Sequence, residues 1–343
     1  MNGPRIGAEG SPGDRVSERV RRRLAIVVLN YRTPGLVLDC LDSLAGQLEP
    51  GEDEAVVVDN ASPDDSADQI AASIAERGYG AWARLIRSPD NGGFSAGNNV
   101  GIRGCDAELY ILLNSDTIMR PGAIAEIRRA AKELPDAGLI GPRLEWPDGA
   151  PQVSAFRDHS VPGQMITAAQ TGPVTALLKR WVVAIGVPDE PVRADWVSFA
   201  CVAVPRATFE RVGLMDEGFF MYFEDAEFGR RVRAAGLEVW HCPGARVVHL
   251  RGGTAPVKQA SRERKPLPRY YYRARARYFA AAGGRLRLTL ANVAWTLGWL
   301  IAVGRKLVQG RVIGTPRRAP RDIWCGFRSP LERYRPQAKG SRP

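Results

Sequence analysis

The chain has 343 residues, more than the roughly 250 to 300 at which one hydrophobic core usually stops growing, so one large domain with additions, or two domains, is expected. From Arg251 to the end there are 22 lysines and arginines against 3 acidic residues, a net charge of +19, which leaves −8 for the first 250 residues. This asymmetry indicates a polyanionic partner surface, either nucleic acid or anionic lipid headgroups. The five cysteines are scattered and never spaced as Cys-x-x-Cys, which argues against a disulfide framework and a zinc site and favours a reducing, cytoplasmic compartment.

Strand and helix patterns alternate along the first part of the chain. Residues 1–23 are rich in Gly, Pro, Ser and Arg and lack an apolar segment of signal-peptide length, so a disordered lead-in is predicted there. Apolar runs predict buried strands at 24–29, 55–58, 83–87 and 109–114, and helically spaced leucines from Pro34 predict a helix of about twelve residues. This order of elements is the opening of a nucleotide-binding α/β sheet.

Polar side chains follow the predicted strands. Asp59 could accept hydrogen bonds from a base or a ribose, or it could cap the next helix, and the residues alone leave both open. Segment 90–99, DNGGFSAGNN, combines glycines that allow close backbone approach to a phosphate with amide side chains, but its glycine spacing fits neither a Rossmann nor a Walker motif. Asp116 ends the run ILLNSD and is a candidate metal ligand, although such an Asp is by itself more often a turn former or an N-cap.

The middle of the chain carries a second group of candidate functional residues. A helix is predicted at 123–134 and a short strand at 138–142, whereas 146–195 has no assignable pattern. Glu224 and Asp225 open a predicted helix that continues to about Ala235, so they are either first-turn charges stabilised by the helix dipole or a general base and its neighbour. Two short strands are predicted at 237–241 and 245–249, and His249 ends the second one, where a lone His is more often structural than a ligand.

The composition changes from residue 256, where a basic and tyrosine-rich extension begins. Its uncharged stretch 288–303 has sixteen residues, fewer than the roughly twenty that span a bilayer, and is flanked by Arg285, Arg287, Arg305 and Lys306. We predict a helix lying in the plane of an anionic leaflet, with a core helix packed on the preceding domain as the alternative. The Pro-rich tail after Gly310 is predicted to be poorly ordered.

Four motifs, VVLNYRTPGLVLDCLDSL, VVVDNASPDDS, NGGFSAGNNVGI and ILLNSDT, occur in an order and spacing that resembles the family 2 inverting glycosyltransferases of the GT-A fold, particularly their rhamnosyltransferase-like branch. The resemblance covers about residues 24–255. It implies an α/β GT-A fold with a mostly parallel central sheet flanked by helices. The nucleotide-sugar-binding half would be 24–145, the acceptor-binding and catalytic half 146–255, and a helical, basic, membrane-associating extension 256–343.

What the resemblance implies for function is an inverting, metal-dependent hexosyltransferase of cell-envelope polysaccharide synthesis. The donor would be a nucleotide-diphosphate sugar, first of all dTDP-rhamnose, and the acceptor a saccharide or a lipid-linked saccharide. Mn²⁺ or Mg²⁺ would be the cofactor. The enzyme would sit peripherally on the cytoplasmic face of the membrane, in contact with anionic lipid and not with nucleic acid.

The same resemblance assigns the site residues. Asp225 matches the catalytic base, with Glu224 adjoining it, and Asp116 and His249 match the metal ligands. Asn114 stands where the family's Asp-x-Asp element usually begins, so one carboxylate would hold a weakly bound metal that keeps water and phosphate oxygens as ligands. Phe199 stands where the family usually has Gly. The implied donor-binding positions are Asn30, Tyr31, Asp59, Asn60, Asn91, Gly92, Gly93, Phe94, Asn98, Asn99, Asn114 and Ser115, and the acceptor-binding positions are Trp196, Asp216 and Phe219.

Two other classes of function fit part of the sequence. A nucleic-acid-binding protein could use the basic, tyrosine-rich tail, but it has no need of a sixteen-residue uncharged run. A nucleotidyltransferase could use a similar sheet, but it would need a phosphate-binding Gly/Lys loop near the first strand, and the sequence has none there.

Overall fold

The structure, a computed structural model, describes residues 21–251, 267–310 and 319–334. Its centre is a mixed ten-stranded sheet. In the first half β1 (Arg22–Asn30) lies between β2 (Asp53–Asp59) and β4 (Ala107–Asn114), and β3 (Ala83–Arg87) pairs with β2, all in parallel. These strands are covered on both faces, which is why they read as aliphatic runs rather than as alternating patterns. The crossovers are α1 (Pro34–Leu44), α2 (Ser66–Glu76), the 3₁₀ turn Tyr79–Ala81 and α3 (Phe94–Gly104).

Parallel pairing brings the carboxyl ends of these strands into one row. Asn30 lies opposite Asp59, Asp59 opposite Arg87, and Leu29 opposite Asn114. The predicted α/β sheet is therefore confirmed. The lead-in predicted to end at residue 23 is two residues too long, because Arg22 already belongs to β1; the rest of that prediction, residues 1–20, lies outside the described residues.

The second half adds an antiparallel strand and then a parallel one. β12 (Cys201–Pro205) runs antiparallel between β4 and β6 (Ala137–Glu145), and β13 (Glu238–His249) runs parallel to β6. The prediction of two strands at 237–241 and 245–249 is wrong, because both stretches pair with β6 and a register shift after Cys242 joins them into one bulged strand. The end of β13 also pairs with β5 (Thr117–Met119), which places His249 opposite Thr117. α4 (Ala123–Glu133) covers this half.

Short elements fill the stretch that the sequence left unassigned. They include a separate three-stranded sheet, in which residues 155–156 pair with 196–197 on one side and with 184–186 on the other. The elements from 146 onward are β7 (Pro151–Gln152), β8 (Ala155–Phe156), α5 (Val161–Ala169), α6 (Gly172–Leu177), the 3₁₀ turn Lys179–Trp181, β9 (Ala184–Gly186), β10 (Val192–Arg193), β11 (Trp196–Val197), α7 (Arg206–Val212) and α8 (Glu224–Ala234).

The C-terminal extension contains a helical hairpin within α9 (Arg269–Val308). Its backbone leaves the helical region at Gly283 and Gly284, and Gly284 has a left-handed φ of +67°. Arg275 Nη1 donates to Asn292 Oδ1 at 2.7 Å, although a straight helix would separate residues 17 apart by about 25 Å. Residues 269–282 and 285–308 therefore fold back on each other, and we call them the first and second arms.

The hairpin is packed against α5. Arg275 Nε donates to Gln164 Oε1 at 2.7 Å, and a Cβ on Gly298 would overlap the carbonyl oxygen of Met165. One face of the predicted in-plane helix is thus buried against protein, as the core-helix alternative requires, while its opposite face is exposed. By length and composition alone, α9 is the one helix among the described residues that could cross a membrane.

The described part of the tail after Gly310, residues 319–334, is folded, contrary to prediction. α10 (Ala319–Asp322) and the residues up to Tyr334 return to the hairpin, where Arg273 pairs with Glu332 at 3.0 Å. Residues 311–318 and 335–343 lie outside the described residues. Residues 319–334 fold because they have partners far away in the sequence, which composition alone does not reveal.

Candidate active site

A cavity of 420 Å³ opens at the carboxyl ends of the parallel strands, the usual place for ligands in open α/β sheets. Of the residues predicted from the sequence, it is lined by Tyr31, Asn60, Asn91, Gly93, Phe94, Asn114, Ser115, Asp116, Glu224, Asp225 and His249. Residues from both halves of the chain therefore meet in one place, as a two-substrate site requires.

Residues 90–94, which we call the donor loop after the role that the resemblance implies for them, are bonded by amide side chains to Asn60 at the end of β2. Asn60 Nδ2 donates to Asn91 Oδ1 at 3.0 Å and to the Gly93 carbonyl oxygen at 3.1 Å, and Asn91 Oδ1 also accepts from Gly93 N. The loop then bonds to the other half of the domain, since Phe94 N donates to the Phe220 carbonyl at 2.6 Å. The loop is pre-organised before any ligand arrives.

Gly93 is a position of this loop that tolerates no side chain. It has a left-handed φ of +88°, and a Cβ would overlap Phe220 O and lie 2.6 Å from Phe220 Cα. Gly213 has a similar backbone conformation, with φ +76° and ψ −179° against φ +88° and ψ −167° at Gly93, and nothing lies within 4 Å of its added Cβ.

We expect Gly93→Ala to lower the free energy of unfolding by about 2–5 kcal/mol, because backbone strain and overpacking add. Gly213→Ala, the matched control, should cost only the backbone strain of about 1–2 kcal/mol. Denaturant unfolding of both variants measures the difference. Equal losses would mean that the donor loop moves aside freely.

Asp59 and Asn30 have their polar atoms directed at each other. Asp59 accepts from Asn30 Nδ2 at 2.7 Å and from the Ser62 hydroxyl and amide at 2.7 and 3.0 Å, and it is 3% exposed. Neither residue is among those that line the cavity. Contact between Asp59 and a base or ribose stays a prediction; in the structure its carboxylate fixes the turn after β2.

Asn98 and Asn99 lie in α3 beneath the donor loop. Asn98 Nδ2 donates to the Phe94 carbonyl at 2.9 Å, whereas Asn99 exchanges two hydrogen bonds with the backbone of Met215. Both, like Gly92, are absent from the cavity lining. Asn99 thus links the donor-side helix to the loop of residues 213–223, a role that sequence spacing does not reveal.

Glu224 and Asp225 form the first turn of α8. Burial raises the pKa of Asp225 to about 7, and burial together with the adjacent Asp225 raises the pKa of Glu224. Asp225 Oδ1 accepts from Ala226 N at 2.9 Å. A carboxyl with a pKa near neutrality can accept a proton at physiological pH, so Asp225 has the property that a general base needs.

The backbone before these carboxylates is strained. Tyr222 and Phe223 both have left-handed φ values, +72° and +66°, which cost of order 1–3 kcal/mol each. The turn aims the start of α8 at the cavity.

Asp116 and His249 face each other across the β5–β13 pairing. Asp116 Oδ1 lies 3.5 Å from His249 Nε2, and Gln152 Nε2 donates to the His249 carbonyl at 2.8 Å. Within the described ranges no group of three or more His, Cys, Asp or Glu side chains could hold a metal. A carboxylate and an imidazole suit Mn²⁺, and both groups line the cavity, so a metal could complete its ligand set with substrate phosphate and water.

Arg251 also lines the cavity and was not assigned a role from the sequence. Its Nε donates to Gln152 Oε1, and its guanidinium lies 5.5 Å from the Trp146 ring centroid. Burial lowers the pKa of Arg251, and the Asp116 carboxylate opposes this. The Arg-Gly-Gly sequence at 251–253, shortly after His249, is the feature of the sequence that could have indicated this role. A held guanidinium beside the two candidate metal ligands can bind phosphate oxygens.

The predicted acceptor residues lie outside the cavity lining. Trp196 stacks on Phe156 with centroids 4.0 Å apart, Phe219 is fully buried, and Asp216 pairs with Arg277 at 2.7 Å. Their neighbours, the cavity-lining residues Phe220, Met221, Tyr222 and, from the extension, Tyr270, were missed. The aromatic run GFFMYF marked the loop, but which of its rings faces the cavity depends on the left-handed turn.

Phe199 and its neighbours form the floor of the cavity. Phe199 is 3% exposed and meets Phe228 of α8 edge-on, with centroids 5.9 Å apart. Ser198 and Ala200 line the cavity beside it. The bulky residue is thus accommodated under α8.

Parts of the chain are similar to known glycosyltransferases. Residues 25–171 match the family model described as Glycosyl transferase family 2. The N-acetylglucosaminyl-diphospho-decaprenol L-rhamnosyltransferase of Mycobacterium tuberculosis is 35% identical over 145 residues, which are 40% of this chain and 46% of that protein, so the chain spans about half of the relative's length. The low-salt glycan biosynthesis hexosyltransferase Agl10 of Haloferax volcanii is 25% identical over 244 residues, 68% of this chain and 69% of that protein.

A solved structure with the same fold is the mannosyltransferase PcManGT from Pyrobaculum calidifontis, in complex with GDP-Man and Mn²⁺. It superimposes with a TM-score of 0.51 at 15% identity, covering 91% of this chain and 85% of that one. At this identity the similarity shows the fold alone, which is the GT-A-like arrangement expected from the sequence.

Proposed function

We propose that the chain, whose residues 25–171 match the Glycosyl transferase family 2 model, is an inverting, metal-dependent glycosyltransferase of cell-envelope polysaccharide synthesis. It transfers rhamnose from dTDP-rhamnose to a hydroxyl of a lipid-linked saccharide. The rhamnosyltransferase similarity supports the choice of sugar and acceptor. The observation that carries the proposal is that Asp225, a carboxyl with a near-neutral pKa, lines the same cavity as Asp116, His249 and the donor loop.

Asp225 acts as the general base. It takes the proton of the acceptor hydroxyl while that oxygen attacks the anomeric carbon and the bond to the nucleoside diphosphate breaks. Inversion in one displacement needs no covalent intermediate, so one carboxylate is enough. Glu224, the adjoining buried carboxyl, shares the titration of Asp225.

Charge on the departing diphosphate is stabilised by other residues that line the cavity. Asp116 and His249 would hold a Mn²⁺ or Mg²⁺ ion, which when bound supplies a positive charge to the diphosphate oxygens. Arg251, held by Gln152, donates to the same oxygens. The donor loop at Asn91–Phe94 positions the nucleotide through its fixed backbone.

The proposal is tested by incubating the full chain with a panel of nucleotide sugars, with and without Mn²⁺. The panel includes dTDP-rhamnose, and the acceptor is an N-acetylglucosaminyl-diphospho-prenol. Release of nucleoside diphosphate only when the acceptor is present, and best with dTDP-rhamnose, is expected. Turnover of another sugar would correct the donor, and no turnover or thermal stabilisation by any donor would refute the function.

The second arm of α9 supplies the membrane contact that a lipid-linked acceptor requires. Its buried face includes Leu288, Ala291 and Ala302, and its other face is an apolar stripe at three- and four-residue spacing. No acidic residue occurs between Arg269 and Val308. Basic residues at both ends favour an anionic leaflet, and the packing on α5 favours an in-plane helix. The exposed stripe is Leu286, Leu290, Val293, Leu297, Leu300, Ile301, Leu307 and Val308.

We expect the double variant Leu290→Asp, Leu297→Asp to lose flotation with anionic liposomes. Each exposed leucine contributes about 1.5–3 kcal/mol when an apolar phase covers it, so the pair should weaken binding by at least about a hundredfold. Leu331→Asp, an exposed leucine outside α9, is the matched control and should float as the unchanged protein does. Flotation that survives the double change, or salt-dependent binding to nucleic acid without liposome binding, would contradict the membrane assignment.

A further inference from the structure

The strained turn before the catalytic carboxylates is held by the C-terminal extension. The rings of Tyr222 and Tyr270 lie nearly parallel at 6.2 Å, and Tyr222 also meets Tyr271 at 5.8 Å. Phe223 packs on Tyr271 at 5.6 Å and on Tyr278 at 5.8 Å. A left-handed conformation at two successive bulky residues persists only where the surroundings enforce it. These tyrosines of the first arm supply much of those surroundings, together with His159, whose ring lies 4.9 Å from that of Phe223.

Residues near the C-terminal end of the described chain also contact the same loop. Tyr334 meets Phe220 edge-on at 5.5 Å and lies 6.1 Å from Tyr270. Arg333 Nη1 lies 3.3 Å from Glu217 Oε2. Residues 328–334, which we call the strap, thus reach the rim of the cavity.

The strap is itself fastened to the hairpin. Arg273 pairs with Glu332 at 3.0 Å, Arg285 Nη2 donates to the Arg328 carbonyl at 2.7 Å, and Arg277 Nη1 donates to the Leu331 carbonyl. The hairpin, the strap and the loop at 217–223 therefore form one packed unit.

We propose that the extension is a positioning element of the active site, in which an aromatic brace of Tyr270, Tyr271, Tyr278 and Tyr334 holds the turn Tyr222–Phe223 so that Asp225 faces the acceptor hydroxyl. The role of Asp225 in this statement rests on the proposed function, whereas the packing does not. The extension then does more than bind the membrane. Removing its contacts with the turn Tyr222–Phe223 impairs transfer even to a water-soluble acceptor.

Tyr334→Ala in the full chain tests the brace. Hydrogen exchange of the peptide covering 216–226, measured without ligand, should become about tenfold faster, because two aromatic contacts are lost. With dTDP-rhamnose and a water-soluble acceptor, kcat should fall by about the same factor with little change in the donor KM. Tyr334→Phe keeps the ring and should restore both values. Trp324→Ala, an aromatic residue of the same segment whose ring contacts Phe327, should change neither.

A second pair of variants distinguishes the loss of this contact from a general folding defect. Arg333→Ala should speed exchange of the same peptide, because the pairing with Glu217 is lost, and Arg333→Lys, which keeps a positive charge beside Glu217, should slow it again. Unchanged exchange in Tyr334→Ala, or faster exchange with full kcat, would overturn the positioning role. If no donor is turned over, the proposed function fails, while the exchange measurement still decides whether the brace holds the turn.

Discussion

Replacing Asp225 with asparagine is expected to lower transfer by about 10²- to 10⁴-fold, the usual contribution of a general base. Asparagine has nearly the same shape but cannot take the acceptor's proton. Donor affinity should stay nearly unchanged, because the donor loop, Asp116 and His249, the cavity-lining groups proposed to bind the donor, are not altered. Rates at saturating donor, together with a nucleotide-binding titration, separate the two effects. Loss of donor binding with the loss of rate would remove Asp225 from the base role.

The pH dependence gives an independent check on the same residue. Since burial raises the pKa of Asp225 to about 7, the active, deprotonated form is lost as the pH falls below that value. We expect kcat/KM to fall about tenfold per pH unit on the acid side and to level off above neutrality. Glu224 adjoins Asp225, and its pKa is also raised. The acid side of the pH profile therefore reflects the titration of both carboxyls together. Asp225→Asn should lack this fall on the acid side, and a fall that persists in the variant would belong to another group.

Asp116→Ala is expected to weaken Mn²⁺-dependent donor binding by about a hundredfold or more, because losing even an outer partner of a metal ligand costs 10- to 100-fold. The cost is large here because the described residues offer only one further side-chain ligand at this place, His249. Calorimetric titration of dTDP, with and without Mn²⁺, measures it. A metal dependence equal to that of the unchanged protein would reject Asp116 as a ligand.

Asn114→Asp is the companion change at the same strand end. It restores a carboxylate at the first position of the motif, and Asn114 already lines the cavity. We expect a lower Mn²⁺ concentration for half-maximal activity, since a second carboxylate reduces the metal's reliance on donor phosphate. No change would indicate that the side chain at 114 points away from the metal.

The first half of the fold could be predicted because its signals are local. β3 begins and ends where the sequence placed it, and β4 ends at the predicted Asn114. Parallel strands covered by helices must be apolar throughout, and their carboxyl ends must meet, so the placement of Asp116 and Asn60 at one edge follows from order alone.

The residues whose placement was not foreseen depend on packing between distant segments. Asn99 resembles a donor-loop amide in the sequence, yet its side chain bonds to Met215, 116 residues away. Asp216 and Phe219 belong to a loop whose inward and outward faces are set by the turn at Tyr222. No local pattern encodes which ring of such a loop faces a cavity.

In the C-terminal extension too, some features follow from composition and others from contacts between distant residues. Its charge asymmetry and its sixteen-residue uncharged stretch are properties of composition, and they already indicated an amphipathic helix near an anionic surface. The fold-back at Gly283–Gly284, the contact of Tyr270 with the cavity and the return of Tyr334 to Phe220 all join residues far apart in the chain.

The sequence by itself determined the α/β sheet, the row of polar residues at its edge and the pair Glu224–Asp225 at a helix start. Strand burial, strand ends and helix starts are all encoded by residues that are neighbours in the sequence. Only the tertiary structure decided which of these side chains share one cavity and that the extension forms part of its wall. Those outcomes depend on which distant surfaces bury each other, and that is a property of the whole folded chain.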